Sequence, residues 1–379
     1  MGSVPGRLPG ISAGQRSLLS CAPQRKAAKR HPMPDKHTQA RNLSFVDSHT
    51  CGQPTRVIVA GTGIAAGTTP LTAQRNLRDR GDWIRRLAVL EPRGHRSMFA
   101  AALIAPATPD NEYGVVYMDA YGYPDMCGHA TIGVTTTLFE EGLIPLPRPD
   151  FSGHVELGLL TPAGRIALRA RLENGRVESI ALRTPIAFYL GSVDVQIGGS
   201  PTAVDLAYGG QWYAFIDVAN MGFHVDANEI DQLINVAAST RITIEHALQM
   251  KDPLTGAPPS PINVVWVDTP RHPDARARNV AISPAGSFDR SPCGTATCAR
   301  MATLVAQGKM AIGDRFTNEG LLGTIYRGTA VRATTQFGIH GIVPEVEGSA
   351  WITGRGELSV DPRDPLGHGY LVGGGAAIV

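Results

Sequence analysis

The stretch Met126–Gly133, MCGHATIG, recurs in altered form at Pro292–Ala299, PCGTATCA, and the rest of this 379-residue chain is arranged around the two copies. When Cys127 is aligned with Cys293 without gaps, the agreement continues to a shared closing glycine. The coinciding pairs are Gly128/Gly294, Ala130/Ala296, Thr131/Thr297, Thr137/Thr303, Leu138/Leu304 and Gly142/Gly308. Agreement over this length indicates an internal duplication, which places one thiol at the equivalent position of each half.

Each Cys-Gly pair is expected to open a helix of about a dozen residues, which Gly142 ends in the first copy and Gly308 in the second. The second helix is apolar nearly all round, and this favours a buried position. A thiol at a helix N-terminus meets free backbone N–H groups and the positive end of the macrodipole, which lower a thiol pKa and also attract anions. If a pseudo-twofold axis relates the halves, the two thiols face each other across one cavity that can hold a carboxylate.

Two opposed thiols suit the inversion of a carbon centre. One group must remove the proton from one face, and a second group must return a proton to the other face. The duplication supplies both groups, so Cys127 and Cys293 are the predicted catalytic residues.

The two Cys-Gly motifs, Asp125–His129 and Asp289–Thr295, resemble those of the proline racemase family, which includes 4-hydroxyproline 2-epimerases and trans-3-hydroxyproline dehydratases. The likeness runs from about Phe45 to the end of the chain. Supporting stretches are DSHT at Asp47–Thr50, EPRGH at Glu91–His95, DLAYGG at Asp205–Gly210 and the closing Asp361-Pro362. From these stretches His49, His95 and Asp205 are expected to shape the fold or the cavity.

The resemblance implies an isomerase that inverts Cα of proline or a hydroxyproline without metal or cofactor, one thiolate taking the α-proton while the opposite thiol donates. It implies that Asp289 holds the substrate amine. It also implies that the carboxylate is bound by Gly128, His129, Gly294 and Thr295. Without the family, Asp289 is an ordinary loop aspartate. His129 is then a candidate activator of Cys127, as in a Cys–His nucleophile pair.

Both halves contain strands, a helix, further strands and then a Cys helix, which predicts an α/β (α+β) fold. The resemblance implies two pseudo-symmetric domains, each a curved sheet around a central helix, similar to diaminopimelate epimerase. We place them at residues 43–195 and 196–379, with the last strands as candidates to return to the first domain. Residues 1–42, rich in Arg, Lys, Ser, Pro and Gly, are expected to be a disordered tail, a targeting segment or an over-extended start.

Period-two alternation, with turn residues between the runs, marks three strands, Val155–Leu159, Arg165–Arg169 and Val193–Ile197. The other predicted strands are Arg56–Ala60, Gly114–Met118, Trp212–Ile216, Val264–Val267 and Asn279–Ile282. Two further helices are predicted, Thr72–Leu90 with a weak point near Gly81, and the amphipathic Ala227–Ala238.

The net charge and the cysteine content limit the partners and the cellular compartment that can be expected. A net charge of +2 gives no electrostatic case for nucleic acid or an anionic membrane. The 5 cysteines do not suggest a disulfide framework, so a reducing cytoplasm is expected. Cys298 lies inside the second helix, at the position of Ile132 in the first copy, and is expected to pack in the core. A zinc site formed by Cys293 and Cys298 is not expected, because the spacing is unsuitable and a second ligand pair is missing. The expected partner is a small-molecule amino acid, and a homodimer is compatible with it.

Three rival functions stay open. A dehydratase removes the same α-proton, but that branch often has threonine in place of the second cysteine, which argues against it here. A Cys–His hydrolase would leave Cys293 without a role, and a binding protein would use neither thiol. In hydroxyproline epimerases of the family that the motifs resemble, a histidine or other polar residue often lies in the strand upstream of the second motif. Here that strand, Ile262–Trp266, contains no histidine. If Val264 or Val265 faces the cavity, proline is favoured, whereas Asn263 would favour a hydroxyl.

Overall fold

The structure is a computed structural model that describes residues 42–109, 112–219, 221–336 and 338–372. The prediction for the N-terminal tail falls outside these ranges, apart from Asn42, which begins the first strand.

The described part of the first half contains seven strands and three helices. The strands are β1 (Asn42–Thr50), β2 (Gln53–Ala60), β3 (Phe99–Ile104), β4 (Gly114–Met118), β5 (Gly153–Thr161), β6 (Gly164–Glu173) and β7 (Arg176–Arg183). The helices are α1 (Pro70–Arg80), α2 (Asp82–Val89) and α3 (Gly128–Glu140). Gly81 separates α1 from α2, so the break expected near this glycine is confirmed.

Within the ranges given above, the second half contains nine strands and two helices. The strands are β8 (Phe188–Ile197), β9 (Ser200–Tyr208), β10 (Trp212–Asp217), β11 (Ile262–Asp268), β12 (Ala277–Ile282), β13 (Arg315–Glu319), β14 (Ile325–Gln336), β15 (Ile339–Gly348) and β16 (Ala350–Ser359). The helices are α4 (Ile230–Ala247) and α5 (Gly294–Ala306). Every predicted strand lies within an observed one. The helix predicted at Ala227–Ala238 begins with a 3₁₀ turn and extends to Ala247.

The described strands form one sheet whose order reads the same from both ends. From one edge it runs β16-β1-β2-β3-β4-β5-β6-β7, and from the other β8-β9-β10-β11-β12-β13-β14-β15, with β7 and β15 antiparallel where the two series meet. Parallel pairs also occupy matching positions: β2 with β3 and β10 with β11, then β4 with β5 and β12 with β13. The topology therefore repeats, as the sequence duplication predicts.

Each Cys helix is the crossover between two parallel strands. A parallel pair requires such a connection, and α3 joins β4 to β5 as α5 joins β12 to β13. The helix α3 contacts β16, β1, β2 and β7, and α5 contacts the matching strands β8, β9, β10 and β15. The expected fold class, two pseudo-symmetric units of sheet and central helix, is confirmed.

The division between the units stays a prediction. Strand pairing places β16 beside β1 and β8 beside β9.

Within the described ranges, no helix has the length and apolar character needed to cross a membrane.

Candidate active site

Cys127 and Cys293 are the N-cap residues of α3 and α5, so both thiols stand where a helix begins. Each helix has 13 residues and is buried along nearly its whole length. The glycine after each helix has a left-handed backbone, with φ of 67° at Gly142 and 69° at Gly308. Both predicted helices and both predicted closing glycines are therefore present.

The two helix starts meet at Gly128 and Gly294. A Cβ built on Gly128 would lie 3.6 Å from the Cα of Gly294, and one on Gly294 would lie 3.7 Å from the Cα of Gly128. Cys127 and Cys293 are each 8% exposed and belong to one cluster of buried residues, which we call the central core. The structure thus brings the two sequence-predicted thiols into one site, with two helix N-termini beside them.

The backbone differs between the two thiols. Cys127 is extended, with φ of −148°, whereas Cys293 lies in the left-handed region with φ of 63°. A non-glycine residue persists in that region only when its surroundings hold it there. Here Ser291 Oγ accepts the Cys293 N–H at 3.2 Å, and the amides of Asn279 and Asn318 donate to the carbonyl of Pro292 at 3.1 and 3.2 Å.

His129 is the neighbour of the first thiol. Its Nδ1 lies 3.3 Å from Cys127 Sγ, and its carbonyl accepts the Thr50 hydroxyl at 2.8 Å, which fixes the first turn of α3 to β1. Burial lowers the pKa of His129, so the imidazole is neutral beside the thiol. The ring of Phe99 meets that of His129 edge-on at 4.6 Å, a contact that the sequence did not predict.

Thr295 and Tyr213 are the neighbours of the second thiol. Thr295 Oγ1 lies 3.9 Å from Cys293 Sγ, and the hydroxyl of Tyr213, from β10, lies 3.6 Å from Sγ. Sequence reasoning singled out the strand that carries Tyr213 but not the tyrosine. Every residue of Trp212–Ile216 is apolar or aromatic, so the sequence gives no signal for the side of the strand on which Tyr213 lies.

Asp289 precedes the second thiol and is half-buried. One of its carboxylate oxygens accepts both the N–H and the hydroxyl of Ser291, at 2.8 and 2.7 Å. The next N–H, of Arg290, donates to Gln53 Oε1 of β2 at 3.0 Å. These bonds tie the Asp289 loop to its own motif and to the first half of the chain. Asp289 also interacts electrostatically with both thiols and with His129, so it shares their site.

The thiol pKa values correct one expectation. Burial raises the pKa of Cys293 to about 12, and burial also raises that of Cys127 well above its usual value. The negative charge of Asp289 acts in the same direction, while the backbone N–H groups of Ala130 and Ala296 lower the values. The predicted helix-terminus effect is thus present, but desolvation outweighs it in the unliganded site. Both thiols are protonated there.

The remaining described cysteines have other hydrogen-bond partners. Cys298 is fully buried in α5, where its Sγ accepts the Thr184 hydroxyl at 3.9 Å, so the predicted core position is confirmed. Cys51 is buried with its Sγ 3.6 Å from the carbonyl of Ile325. Among the residues that the structure describes, no group of three or more His, Cys, Asp and Glu side chains is arranged to hold a metal ion.

Residues of the supporting stretches contact α5 or form hydrogen bonds in nearby turns. The carboxylate of Asp205 accepts the Tyr189 hydroxyl and the Gln307 amide, at 3.0 and 3.1 Å, and so anchors the C-terminal end of α5. A Cβ on Gly209 would overlap the carbonyl oxygen of Thr295 and lie 2.6 Å from the N of Ala299. His49 and His95 accept local backbone N–H groups, of Gly52 and Ser97, each at 3.2 Å.

The strand β11 places alternate residues in two cores. Val265 lies in the central core with the thiols, whereas Val264 lies in the separate core beneath α4. Asn263 shares the side of Val265 because strand residues alternate. Its amide nitrogen donates to Gln211 Oε1 at 3.0 Å and to the Trp212 carbonyl at 3.1 Å.

Comparison with known proteins gives a consistent result. The profile of the family described as proline racemase matches residues 45–371. The proline racemase of Clostridioides difficile is 34% identical over 336 residues, which cover 88% of this chain and 99% of that protein. The 4-hydroxyproline epimerase of Brucella ovis is 35% identical with the same coverage.

A solved structure agrees with the sequence matches. The hydroxyproline epimerase of Agrobacterium vitis, determined with bound trans-4-hydroxy-L-proline, is 26% identical, superposes with a TM-score of 0.75, and covers 88% of this chain and 95% of its own. The resemblance read from the Cys-Gly motifs is confirmed. The chain belongs to the proline racemase family and is an isomerase of the racemase and epimerase type.

Proposed function

We propose that this enzyme inverts Cα of proline or 4-hydroxyproline with Cys127 and Cys293 as the two acid/base groups and without a cofactor. The observation that carries the proposal is the meeting of two thiol-bearing helix N-termini at Gly128 and Gly294. An inversion needs one proton acceptor and one proton donor on opposite faces of the reacting carbon. Two such helix starts supply one thiol for each face.

The two cysteines are sufficient for both proton transfers of the inversion. The thiolate of one cysteine takes the hydrogen from Cα as a proton, and the electron pair of the C–H bond stays on the substrate as a carbanion. The thiol of the other cysteine then donates its proton to the opposite face of Cα. The product has the inverted configuration, and the two cysteines have exchanged protonation states.

The helix N-termini are suited to the substrate carboxylate. The first N–H groups of a helix have no intrahelical acceptor, and with the macrodipole they favour an anion. We assign this binding to the backbone of Gly128, His129, Gly294 and Thr295. A carboxylate held there keeps Cα between the thiols.

Asp289 is the proposed partner of the substrate amine. Its negative charge raises the pKa of both thiols in the unliganded site. When a cationic amine pairs with Asp289, that contribution is offset, and the amine favours a thiolate nearby. Substrate binding therefore favours the loss of one thiol proton to solvent, which forms the base that the protonated, unliganded site lacks.

The sequence relatives include proline racemases and 4-hydroxyproline epimerases at nearly equal identity, 34% and 35%, so identity alone does not choose the substrate. The position of Val265 in the central core favours an apolar wall and hence proline. A homodimer, a cytoplasmic location and the absence of a nucleic-acid partner stay predictions.

The test is incubation of the full chain with L-proline and with trans-4-hydroxy-L-proline in heavy water. Stereoinversion with one deuterium at Cα is the expected result. A keto acid formed from trans-3-hydroxy-L-proline would instead identify the dehydratase. Failure to exchange the α-hydrogen of any of the three compounds would reject proton abstraction in this site.

A further inference from the structure

The two thiols have chemically different neighbours. His129 stands two residues after Cys127, with its Nδ1 3.3 Å from Sγ. The matching position after Cys293 is Thr295, whose hydroxyl is farther from the thiol, at 3.9 Å. The Tyr213 hydroxyl lies nearer to Cys293 Sγ, at 3.6 Å. The second thiol therefore takes its nearest polar side-chain contact from a strand of the sheet, where the first takes its contact from its own helix.

The hydroxyl of Tyr213 is held between Thr295 and Cys293. The tyrosine is 2% exposed, and its oxygen lies 2.5 Å from Thr295 Oγ1. A phenol buried to this degree keeps its proton, because burial raises its pKa far above the usual value. It therefore reaches the thiol as a neutral hydroxyl that can both donate and accept.

The hydroxyl groups of Tyr213 and Thr295 can form hydrogen bonds with Cys293 whether its sulfur is a thiolate or a thiol. A thiolate only accepts, so Thr295 then donates to Tyr213 and Tyr213 donates to Sγ. A thiol can donate, so S–H then donates to the Tyr213 oxygen and Tyr213 donates to Thr295. Each hydrogen stays on its own atom and only rotates. A proton-transfer group alternates between these two states during inversion.

We propose that Tyr213, oriented by Thr295, donates the hydrogen bond that stabilises the thiolate of Cys293, as His129 is placed to do for Cys127. Three further groups face Cys293: Asp289 from its loop, Cys127 from α3 and Tyr326 from β14. Asp289 opposes the thiolate by charge, so the donor must act against it. The catalytic consequence rests on the proposed function, whereas the hydrogen bond can be tested without it.

Tyr117 provides a matched control in the first half. Its hydroxyl lies 2.6 Å from Thr131 Oγ1, and Thr131 donates to the Cys127 carbonyl at 2.7 Å. This chain of hydrogen bonds ends at the cysteine backbone and not at its sulfur. Tyr117→Phe thus removes an equally buried hydroxyl that has a similar partner.

The experiment measures alkylation of both thiols by iodoacetamide near pH 8, resolved by peptide mass spectrometry. Below its pKa a thiol reacts in proportion to its thiolate fraction. Tyr213→Phe should lower the ratio of the Cys293 rate to the Cys127 rate roughly tenfold, the usual effect of one hydrogen bond to a charged group. Tyr117→Phe should change the ratio less than about twofold. An unchanged or higher ratio in Tyr213→Phe would overturn the proposal, because a packing role alone only loosens access.

A second pair of variants keeps the test decisive if Tyr213→Phe folds poorly. Thr295→Val removes the hydroxyl that orients Tyr213 and should lower the same ratio, while Thr295→Ser keeps the hydroxyl and should restore it. Equal ratios in the two variants would contradict the arrangement. The ratios do not depend on turnover, so absence of racemisation would reject the proposed function and leave this inference to be judged by alkylation. If racemisation is found, Tyr213→Phe should reduce kcat more than it changes KM.

Discussion

Gly128 and Gly294 face each other where α3 and α5 begin, and a Cβ on the first would lie 3.6 Å from the Cα of the second. This is ordinary van der Waals separation, so the fold itself tolerates an alanine at either position. What an added methyl group would occupy is the space between the helix N-termini, where we place the substrate carboxylate.

Gly128→Ala should therefore impair binding without impairing stability. We expect KM to rise roughly tenfold or more, because a carboxylate displaced from the N–H groups loses charge-assisted hydrogen bonds. The midpoint of thermal unfolding should stay the same or rise slightly, since alanine is favoured over glycine in a helix by up to about 1 kcal/mol. Steady-state kinetics and calorimetry check the two halves of this prediction. A lowered midpoint with an unchanged KM would show that the glycine serves the fold instead.

Gly209→Ala should destabilise the protein, unlike Gly128→Ala. Its Cβ would overlap the carbonyl oxygen of Thr295 and lie 2.6 Å from the N of Ala299, both of which are helix backbone atoms that cannot move alone. Overpacking of this kind costs about 1–3 kcal/mol. Urea denaturation should show that loss in Gly209→Ala. The control is Gly354→Ala, where an added Cβ has no neighbour within 4 Å and should cost far less.

Both thiols should be required for inversion. Cys127→Ser and Cys293→Ser each replace one proton-transfer group by a hydroxyl that does not ionise at neutral pH, so each should lose racemisation by at least about 100-fold. Cys298→Ser is the control, because Cys298 is buried in the middle of α5 with Thr184 as its partner. Rates come from polarimetry or chiral chromatography. Near-normal turnover in either of the first two variants is incompatible with the two-thiol mechanism.

The helices that carry these thiols could be predicted because their determinants are local. A Cys-Gly pair, an apolar run and a closing glycine lie within about 16 residues, and helix boundaries depend on such short-range patterns. The repeat itself then indicated that the halves are related. The left-handed backbone of Cys293 could not be predicted, since it depends on Asn279 and Asn318 in two separate strands.

Most of the missed site residues come from strands that are distant in sequence. Tyr213 lies 80 residues from Cys293, and Gln53 lies 237 residues from Arg290. Tyr213 lies in a predicted strand, but the sequence does not show which helix that strand faces, and Gln53 lies outside the predicted strand Arg56–Ala60. The direction of the thiol pKa shifts was missed for a related reason: the helix terminus can be read locally, whereas the complete desolvation of the site depends on the assembled core.

Buried thiols should make the protein less stable at alkaline pH. Burial raises the pKa of Cys298 to about 12, whereas an unfolded thiol titrates near about 8.5. Because the folded value is the higher one, the stabilisation is complete below about pH 8.5 and is lost as the pH rises from there toward 12. Between pH 7.5 and 9.5 one such thiol accounts for about 1.4 kcal/mol of lost unfolding free energy. Between the same two pH values, urea denaturation of Cys298→Ser should show a loss of unfolding free energy that is smaller than that of the unmodified protein by about this amount. Identical losses in the two proteins would mean that Cys298 titrates normally in the folded state.

The choice between proline and 4-hydroxyproline is expected to follow from β11. Val265 lies in the central core with the thiols, and the amide N–H groups of Asn263 are already bonded to Gln211 and Trp212. Both amide hydrogens of Asn263 are therefore engaged and cannot pair the oxygen of a ring hydroxyl, and the apolar side chain of Val265 leads us to expect a preference for proline.

Val265→Thr adds a hydroxyl to this wall and should shift the ratio of kcat/KM for the two substrates toward trans-4-hydroxy-L-proline. Val264→Thr is the control, because Val264 lies in the core beneath α4; it should destabilise the protein but leave the ratio unchanged. Competition between the two substrates gives the ratio directly. A native preference of about tenfold or more for hydroxyproline, equivalent to about 1.4 kcal/mol, would reject the apolar wall. The two-thiol mechanism would stand in that case, because it depends on Cys127 and Cys293 and not on the ring substituent.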